Sequence, residues 1–407
     1  MSLAFDPVKF LVELVRIPSE SSYQGSVIVR KNYREVSDLI EKTATELGLS
    51  VTRIDLLGGE IPTLLIGLQN APKSRPSLAF VTHYDVVPAK GPWEVEGLKI
   101  DPYEPVVKGG KVYGRGAADD KSAIASVLDG FMALKGSEDK LRYNPFLIVT
   151  GDEEVGGTGI KALLEQGYRW DKVIIVDSGS EYVSVGASGV VHGWIKVRGK
   201  SGHAGYPHAA RNAVEDLLKL LAELQAFKSM RSGKISRQPS PPGSPVPKVW
   251  GRFSVTVVKL PEHEPEKHNR IPGEAWAGFD MRLLPEERIE EALSELYSYF
   301  SSTVAKLGID ASLEIISAQP GWFAKNNAFV NEVLNAAKKA YMQAGLPGEP
   351  VLAAELGGND GTHFDVYGMD VVAFGTIRGG TNIHSEGEFV YIEDMTMFKH
   401  FMSNLLL

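Results

Sequence analysis

Four short runs of this chain are almost continuously apolar: SLAFVT at 77–82, FLIVT at 146–150, KVIIV at 172–176 and DVVAFG at 370–375. A strand with no polar alternation has no face to offer water, so both of its faces must be covered. Helical patterns lie between the runs. In KSAIASVLDGFMAL (121–134), Ile124, Val127, Leu128 and Phe131 fall on one face. NAFVNEVLNAAKKAYMQAG and the last residues, about 393–406, read as further helices, as does a long amphipathic stretch over 26–48. Strands that alternate with helices imply an α/β sheet.

Near Ser188 the pattern changes. VVHGWIKVRG, FSVTVVKL, EAWAGFDMRLL and ASLEIIS read as strands, and NAVEDLLKLLAEL and RIEEALSELYSYFSSTVAKL as helices. Their order, β-α-β-β-α-β, is a complete ferredoxin-like unit over 189–317. The expected organisation is therefore a first domain in two parts, 1–188 and 318–407, with 189–317 inserted. SRQPSPPGSPVPK, inside the insertion, reads as a Pro/Ser-rich loop without regular structure.

The chain has 407 residues, no cysteine and a formal net charge of −8. Thiolate catalysis, disulfides and cysteine-ligated zinc are excluded, so any metal must sit on His, Asp and Glu. The negative balance argues against nucleic acid and anionic membrane as partners. No apolar run reaches membrane-spanning length, and FDPVKFLVELVRIPS reads as an amphipathic helix and not a signal peptide. A cytoplasmic location is the expectation.

In open α/β sheets function collects at the carboxyl ends of strands. Here SLAFVT leads to His83 and Asp85, FLIVT to Asp152, Glu153 and Glu154, KVIIV to Asp177, and DVVAFG, after a glycine-rich loop, to His384. YGRGAADDKS places Asp119 and Asp120 before a helix. Each has a plain structural reading: a satisfied strand-end histidine, a helix cap, a solvated turn. Their recurrence at one edge points to a metal site. Two His and three carboxylates can hold two divalent ions if one carboxylate bridges. Successive side chains diverge along an extended segment. One of Glu153 and Glu154 would then bind metal while the other takes a proton from water.

Together THYDVVP, YGRGAADDKS, TGDEEVGG, Asp177, GKSGHAGYPHAARNAV, NRIPGEAWAGFDMR and IHSEGE resemble the dinuclear zinc amidohydrolase and exopeptidase family of aminoacylase, acetylornithine deacetylase, succinyl-diaminopimelate desuccinylase, glutamate carboxypeptidase and carnosine-type dipeptidases. The resemblance implies a zinc-exopeptidase-like catalytic domain with a mixed sheet, and a lid that also makes a homodimer. It implies two divalent ions, zinc with cobalt as a substitute. His83, Asp119 and Asp177 would hold one, and Asp119, Glu154 and His384 the other. Glu153 would be the general base, and Asp85 would orient His83 through its far ring nitrogen. A cis peptide would join Asp119 to Asp120. His203 would donate to the substrate carbonyl from across the dimer, and Asn269 and Arg282 would contact the substrate's carboxylate. Apart from that pattern, His363 in GGNDGTHF is expected to line the pocket.

The implied reaction is hydrolysis of an N-acyl amino acid, of deacetylase or desuccinylase type, by zinc-activated water. A dipeptidase or carboxypeptidase acting on a short peptide is the alternative, and a two-metal phosphoesterase the rival from another reaction class. Two positions depart from the family pattern. The deacylase branches usually carry Glu where this chain has Asp177, and Gly387 stands before Glu388 where the family usually has Asn.

Overall fold

The computed structural model describes residues 5–24 and 27–407. The chain forms two compact units, Met1–Val185 with Ala324–Ala353 and Asn359–Leu407, and Gly186–Phe323 with Ala354–Gly358.

The first unit opens with α1 (Pro7–Val15), whose first-turn N–H groups are capped by the Asp6 carboxylate. Then come β1 (Ser21–Gln24) and β2 (Val27–Arg30), paired antiparallel, and α2 (Tyr33–Glu46). The helix expected over 26–48 is thus shorter at its start. Ser26 lies outside the described residues, and Val27, Ile28 and Val29 are β-branched and pair as a strand. The helix begins only after Asn32, at φ 54.

Next follow β3 (Ser50–Leu56), β4 (Ile61–Gly67), β5 (Ser77–His83), α3 (Lys121–Leu134), β6 (Asn144–Thr150), α4 (Thr158–Glu165), β7 (Lys172–Ile175) and β8 (Tyr182–Ala187). The second unit then contributes β9 (Gly189–Arg198), α5 (Ala213–Ser232), β10 (Arg252–Lys259), β11 (Glu274–Leu283), α6 (Ile289–Leu307) and β12 (Asp310–Gln319). The chain returns through α7 (Asn327–Ala344), α8 (Gly361–Val366), β13 (Asp370–Ala373) and α9 (Ile392–Leu406).

Seven strands of a nine-stranded sheet run in the order β8-β13-β7-β5-β6-β4-β3. Of these, β13, β7, β5 and β6 are parallel, and β3, β4 and β8 are antiparallel to their neighbours. The register aligns the carboxyl ends: Thr150 sits opposite His83, and Ile175 opposite both Val81 and Ala373. Phe80, Ile148, Val173 and Val372 are buried as the unbroken apolar runs require. Chain segments separated by hundreds of residues are thereby delivered to one edge.

The second unit has the sheet order β10-β11-β9-β12, all antiparallel. Its core joins Val191, Ile195 and Val197 of β9 to Leu217, Leu220 and Phe227 of α5 and Leu296 and Phe300 of α6. The sequence boundary at 317 falls inside β12. SRQPSPPGSPVPK does carry regular structure: Ile235–Pro239 and Lys248–Trp250 pair antiparallel, pinned where Ser236 Oγ and the Arg237 N–H donate to the Glu286 carboxylate. No helix among the described residues is long and apolar enough to cross a membrane.

Candidate metal centre

His83 ends β5, where backbone pairing fixes its direction, and it is buried. Its Nε2 lies 3.1 Å from Asp119 Oδ1 and 3.8 Å from Asp177 Oδ2. The other oxygen of Asp119, Oδ2, lies 3.0 Å from His384 Nε2, which is also 3.1 and 3.0 Å from the two oxygens of Glu154. One carboxylate therefore presents one oxygen to each histidine. The donor atoms form two groups suited to a cation, His83–Glu153–Asp177 and Asp119–Glu154–His384. Consecutive glutamates are divided between them, because Asp152 at φ 70 and Gly156 at φ 103 bracket a tight turn over Glu153–Val155. The Asp119–Asp120 peptide is cis.

The electrostatics describe a site with too much negative charge. Burial drives the Glu153 carboxyl well above its ordinary range. His83 opposes this, while the charges of Asp177, Asp360 and Glu154 reinforce it. Glu154 is raised by burial and by Asp119. For Asp119 burial acts upward as well, but hydrogen bonds from His384 and His83 hold it well below the usual range. Its bonds to the Asp119 and Glu154 carboxylates raise His384 to about 10, against its partial burial. His83 is raised by Asp119 and Asp85 against its own burial. A divalent cation in each group would supply that positive charge with both imidazoles neutral. An all-oxygen-and-imidazole donor set suits zinc and its neighbours.

Asp85 does more than the sequence suggested. Its carbonyl oxygen is 3.0 Å from His83 Nδ1, closer than its carboxylate Oδ1 at 3.4 Å. The carboxylate instead accepts from the Glu153 and Glu154 N–H groups (3.2 and 3.3 Å) and from Ser21 Oγ (2.8 Å). One residue thus ties the β5 end to the glutamate turn.

The residues assigned to substrate lie in the second unit. His203 pairs with Arg270 across a two-residue ladder, and the Ala204 N–H donates to the Asn269 carbonyl, so His203 and Asn269 adjoin. His203 Nδ1 accepts from the Gly205 N–H at 3.0 Å. Arg282 is elsewhere. It sits opposite Val190 and Arg252, eight residues along β11 from the Glu274 end that leads back to Asn269, or about 26 Å at roughly 3.3 Å per residue. Its guanidinium bonds both oxygens of Asp280.

Other residues escaped the sequence reading. Glu388 accepts from the Ala118 and Asp119 N–H groups (3.1 Å each) and is bound by Arg115, which fixes the loop carrying the shared carboxylate. Burial raises Glu388 to about 7. Asp360, raised by burial to about 7, is near enough to bear on Glu153. His363 is mostly buried, with Nε2 3.7 Å from Asp360 Oδ1. Glu388 and Asp360 stood in visible motifs, IHSEGE and GGNDG. Arg30 and Tyr33, which bind Asp152, had no local signal.

A mixed α/β sheet with paired cation-binding groups at its carboxyl edge is the form of a dinuclear metallohydrolase. The chain belongs to peptidase family M20/M25/M40, whose description matches residues 79–407, and it is a hydrolase of amide or peptide bonds. Among similar proteins is a succinyl-diaminopimelate desuccinylase of Parvibaculum lavamentivorans, 27% identical over 82% of this chain and 80% of the relative. In fold it is similar to an M20 family metallo-carboxypeptidase from Sulfolobus solfataricus (TM-score 0.78, 18% identical, 98% of each chain). It is also similar to human carnosine dipeptidase 1 (TM-score 0.71, 21% identical, 98% of this chain and 96% of that one).

Proposed function

We propose that this chain hydrolyses the amide bond of an N-acyl amino acid. The observation that carries the reading is the placement of Asp119 between His83 and His384, with Glu153 and Glu154 divided between the two groups. His83, Asp119 and Asp177 would hold one divalent ion, and Asp119, Glu154 and His384 the other. Such ions, zinc or cobalt, supply Lewis acidity that polarises a carbonyl and eases the ionisation of water. Glu153 takes the proton from water and returns it to the leaving amine.

His203 supplies a donor to the carbonyl oxygen. Because Nδ1 accepts from Gly205, the neutral ring carries its proton on Nε2, where it can stabilise the developing oxyanion. His203 and Asn269 are too far from Arg282 on one chain for all three to touch one small substrate. A symmetric homodimer that brings one end of the sheet from each copy removes that conflict. The free edges of the sheet support it: Val257 and Val258 on β10 and Ile316 on β12 are exposed.

The relatives named as desuccinylases favour the deacylase reading. Asp177 favours the second, a dipeptidase or carboxypeptidase, because Asp at this position is the more typical residue there. A panel of N-acetyl and N-succinyl amino acids, dipeptides and phosphate esters, assayed with added zinc or cobalt, separates them. Turnover of acyl amino acids supports the proposal. Cleavage confined to dipeptides with a free amine overturns it in favour of the second reading.

A further inference from the structure

Asp152 precedes the two glutamates and touches neither cation-binding group, yet it is the most heavily held carboxylate nearby. It is fully buried. Arg30 Nε donates to its Oδ1 at 2.9 Å and Arg30 Nη2 to its Oδ2 at 2.6 Å, while Tyr33 Oη donates to Oδ1 at 2.8 Å. Its backbone is as constrained as its side chain. At φ 70 it occupies the left-handed region. Its carbonyl accepts from Gly157 N–H at 2.7 Å. Asp tolerates this φ better than most residues, but the backbone alone does not account for a fully buried carboxylate bonded by both Arg30 and Tyr33.

The donors come from one segment. Ser21 Oγ binds Asp85, Tyr23 Oη donates to the Val155 carbonyl at 2.7 Å, and Arg30 and Tyr33 bind Asp152. The β1–β2 pair and the start of α2 therefore grip the glutamate turn on both sides of Glu153 and Glu154. The fit is close at Gly151 too, where a Cβ would lie 2.6 Å from the Tyr33 ring and 2.8 Å from that of Tyr84. Those rings meet edge to face at 5.0 Å.

We infer that Arg30 and Tyr33 are positioning residues, which clamp Asp152 and so set the turn that sends Glu153 and Glu154 to different groups. Rotation at Asp152 would swing both glutamates together, and the charge-assisted, two-pronged Arg30 bond resists that rotation. This rests on the reading of Glu154 as a metal ligand and Glu153 as the proton carrier.

The test compares wild type with Arg30→Met, Arg30→Lys and Tyr33→Phe by zinc titration against a competing chelator, by kcat and KM, and by thermal unfolding. Partners that orient ligands typically change metal affinity or activity about 10–100-fold. In Arg30→Met one of the two zinc equivalents, the one Glu154 helps to hold, should bind about 10-fold more weakly while the other is unchanged. Its kcat should fall about 10–100-fold, with KM within about twofold. Arg30→Lys, which keeps charge but not the fork, should fall between, and Tyr33→Phe should show the smallest loss. If Arg30→Met does not fold, the same ordering is read from the other two. Zinc binding and kcat at wild-type levels in all variants would overturn the inference. So would equal weakening of both equivalents in step with the unfolding temperature, since the ion pair would then only hold the fold. If wild type binds two equivalents but hydrolyses nothing in the panel, the functional reading fails. The ratio of the two zinc affinities, variant against wild type, still decides the clamp.

Discussion

Each unit buries a cluster of charge, and the two clusters are built differently. In the second unit Arg231, fully buried, forks onto Glu287 at 2.6 and 2.7 Å and reaches Glu295 at 3.1 Å, while Lys234 bonds both glutamates. Two cations meet two carboxylates. Although burial pushes Glu287 up, the Arg231 bonds pull it down to about 2. In the first unit Asp119, Glu153, Glu154, Asp177 and Asp360 face two imidazoles; both imidazoles bond Asp119 and hold it down, while burial wins at Glu153, Glu154 and Asp360, which move up. The same side-chain chemistry shifts in opposite directions because one cluster carries its own counter-charge. The balanced cluster is complete as a structural tie. The unbalanced one is suited to divalent cations.

The largest effect that separates them is metal removal. A chelator should take hydrolysis to background, and zinc or cobalt should restore it, with the circular dichroism of the protein retained throughout. The ligands sit on strand ends that backbone pairing already fixes. Full activity after verified metal removal would break the distinction. Glu153→Ala should come next, keeping two bound ions while turnover falls by about two to four orders of magnitude. Retention of both ions in Glu154→Ala, with loss in Glu153→Ala, would exchange the roles of the pair.

Much of this site was legible because local rules decide it. Continuous apolar runs announced the parallel strands, and the acidic and imidazole residues just beyond them had to share an edge. The clamp was not legible. Arg30 and Asp152 are 122 residues apart, and the surrounding sequence fits an amphipathic helix until Val27–Arg30 pairs with Ser21–Gln24. Likewise Pro and Ser concealed the strand Ile235–Pro239, whose anchor, Glu286, lies far along the chain. The separation of Arg282 from Asn269 follows from the sheet register, which spacing alone does not reveal.

For the balanced cluster, Arg231→Met leaves Glu287 buried without its main partner and should cost about 3–5 kcal/mol of stability. Zinc stoichiometry should be unaffected. Loss of zinc without loss of stability would contradict the assignment of this cluster as structural. Mixing Glu153→Ala with His203→Ala under conditions that exchange subunits should restore part of the activity. No recovery despite proven exchange would remove the two-copy arrangement. The mildest test is acid. Glu287 has a folded pKa, about 2, below its ordinary 4.5. Its contribution is therefore present above pH 4.5 and lost as the pH falls toward 2. The unfolding temperature should drop across that window, and Glu287→Gln should show a shallower drop.

Anomalous diffraction from zinc-loaded crystals would locate the ions themselves. Two peaks are expected. One should lie about 2.0–2.2 Å from ligand atoms of His83, Asp119 and Asp177, the other at the same distances from Asp119, Glu154 and His384, with Asp119 giving one oxygen to each. A single peak, or two peaks that Asp119 does not bridge, would show that this edge is not a carboxylate-bridged two-metal site.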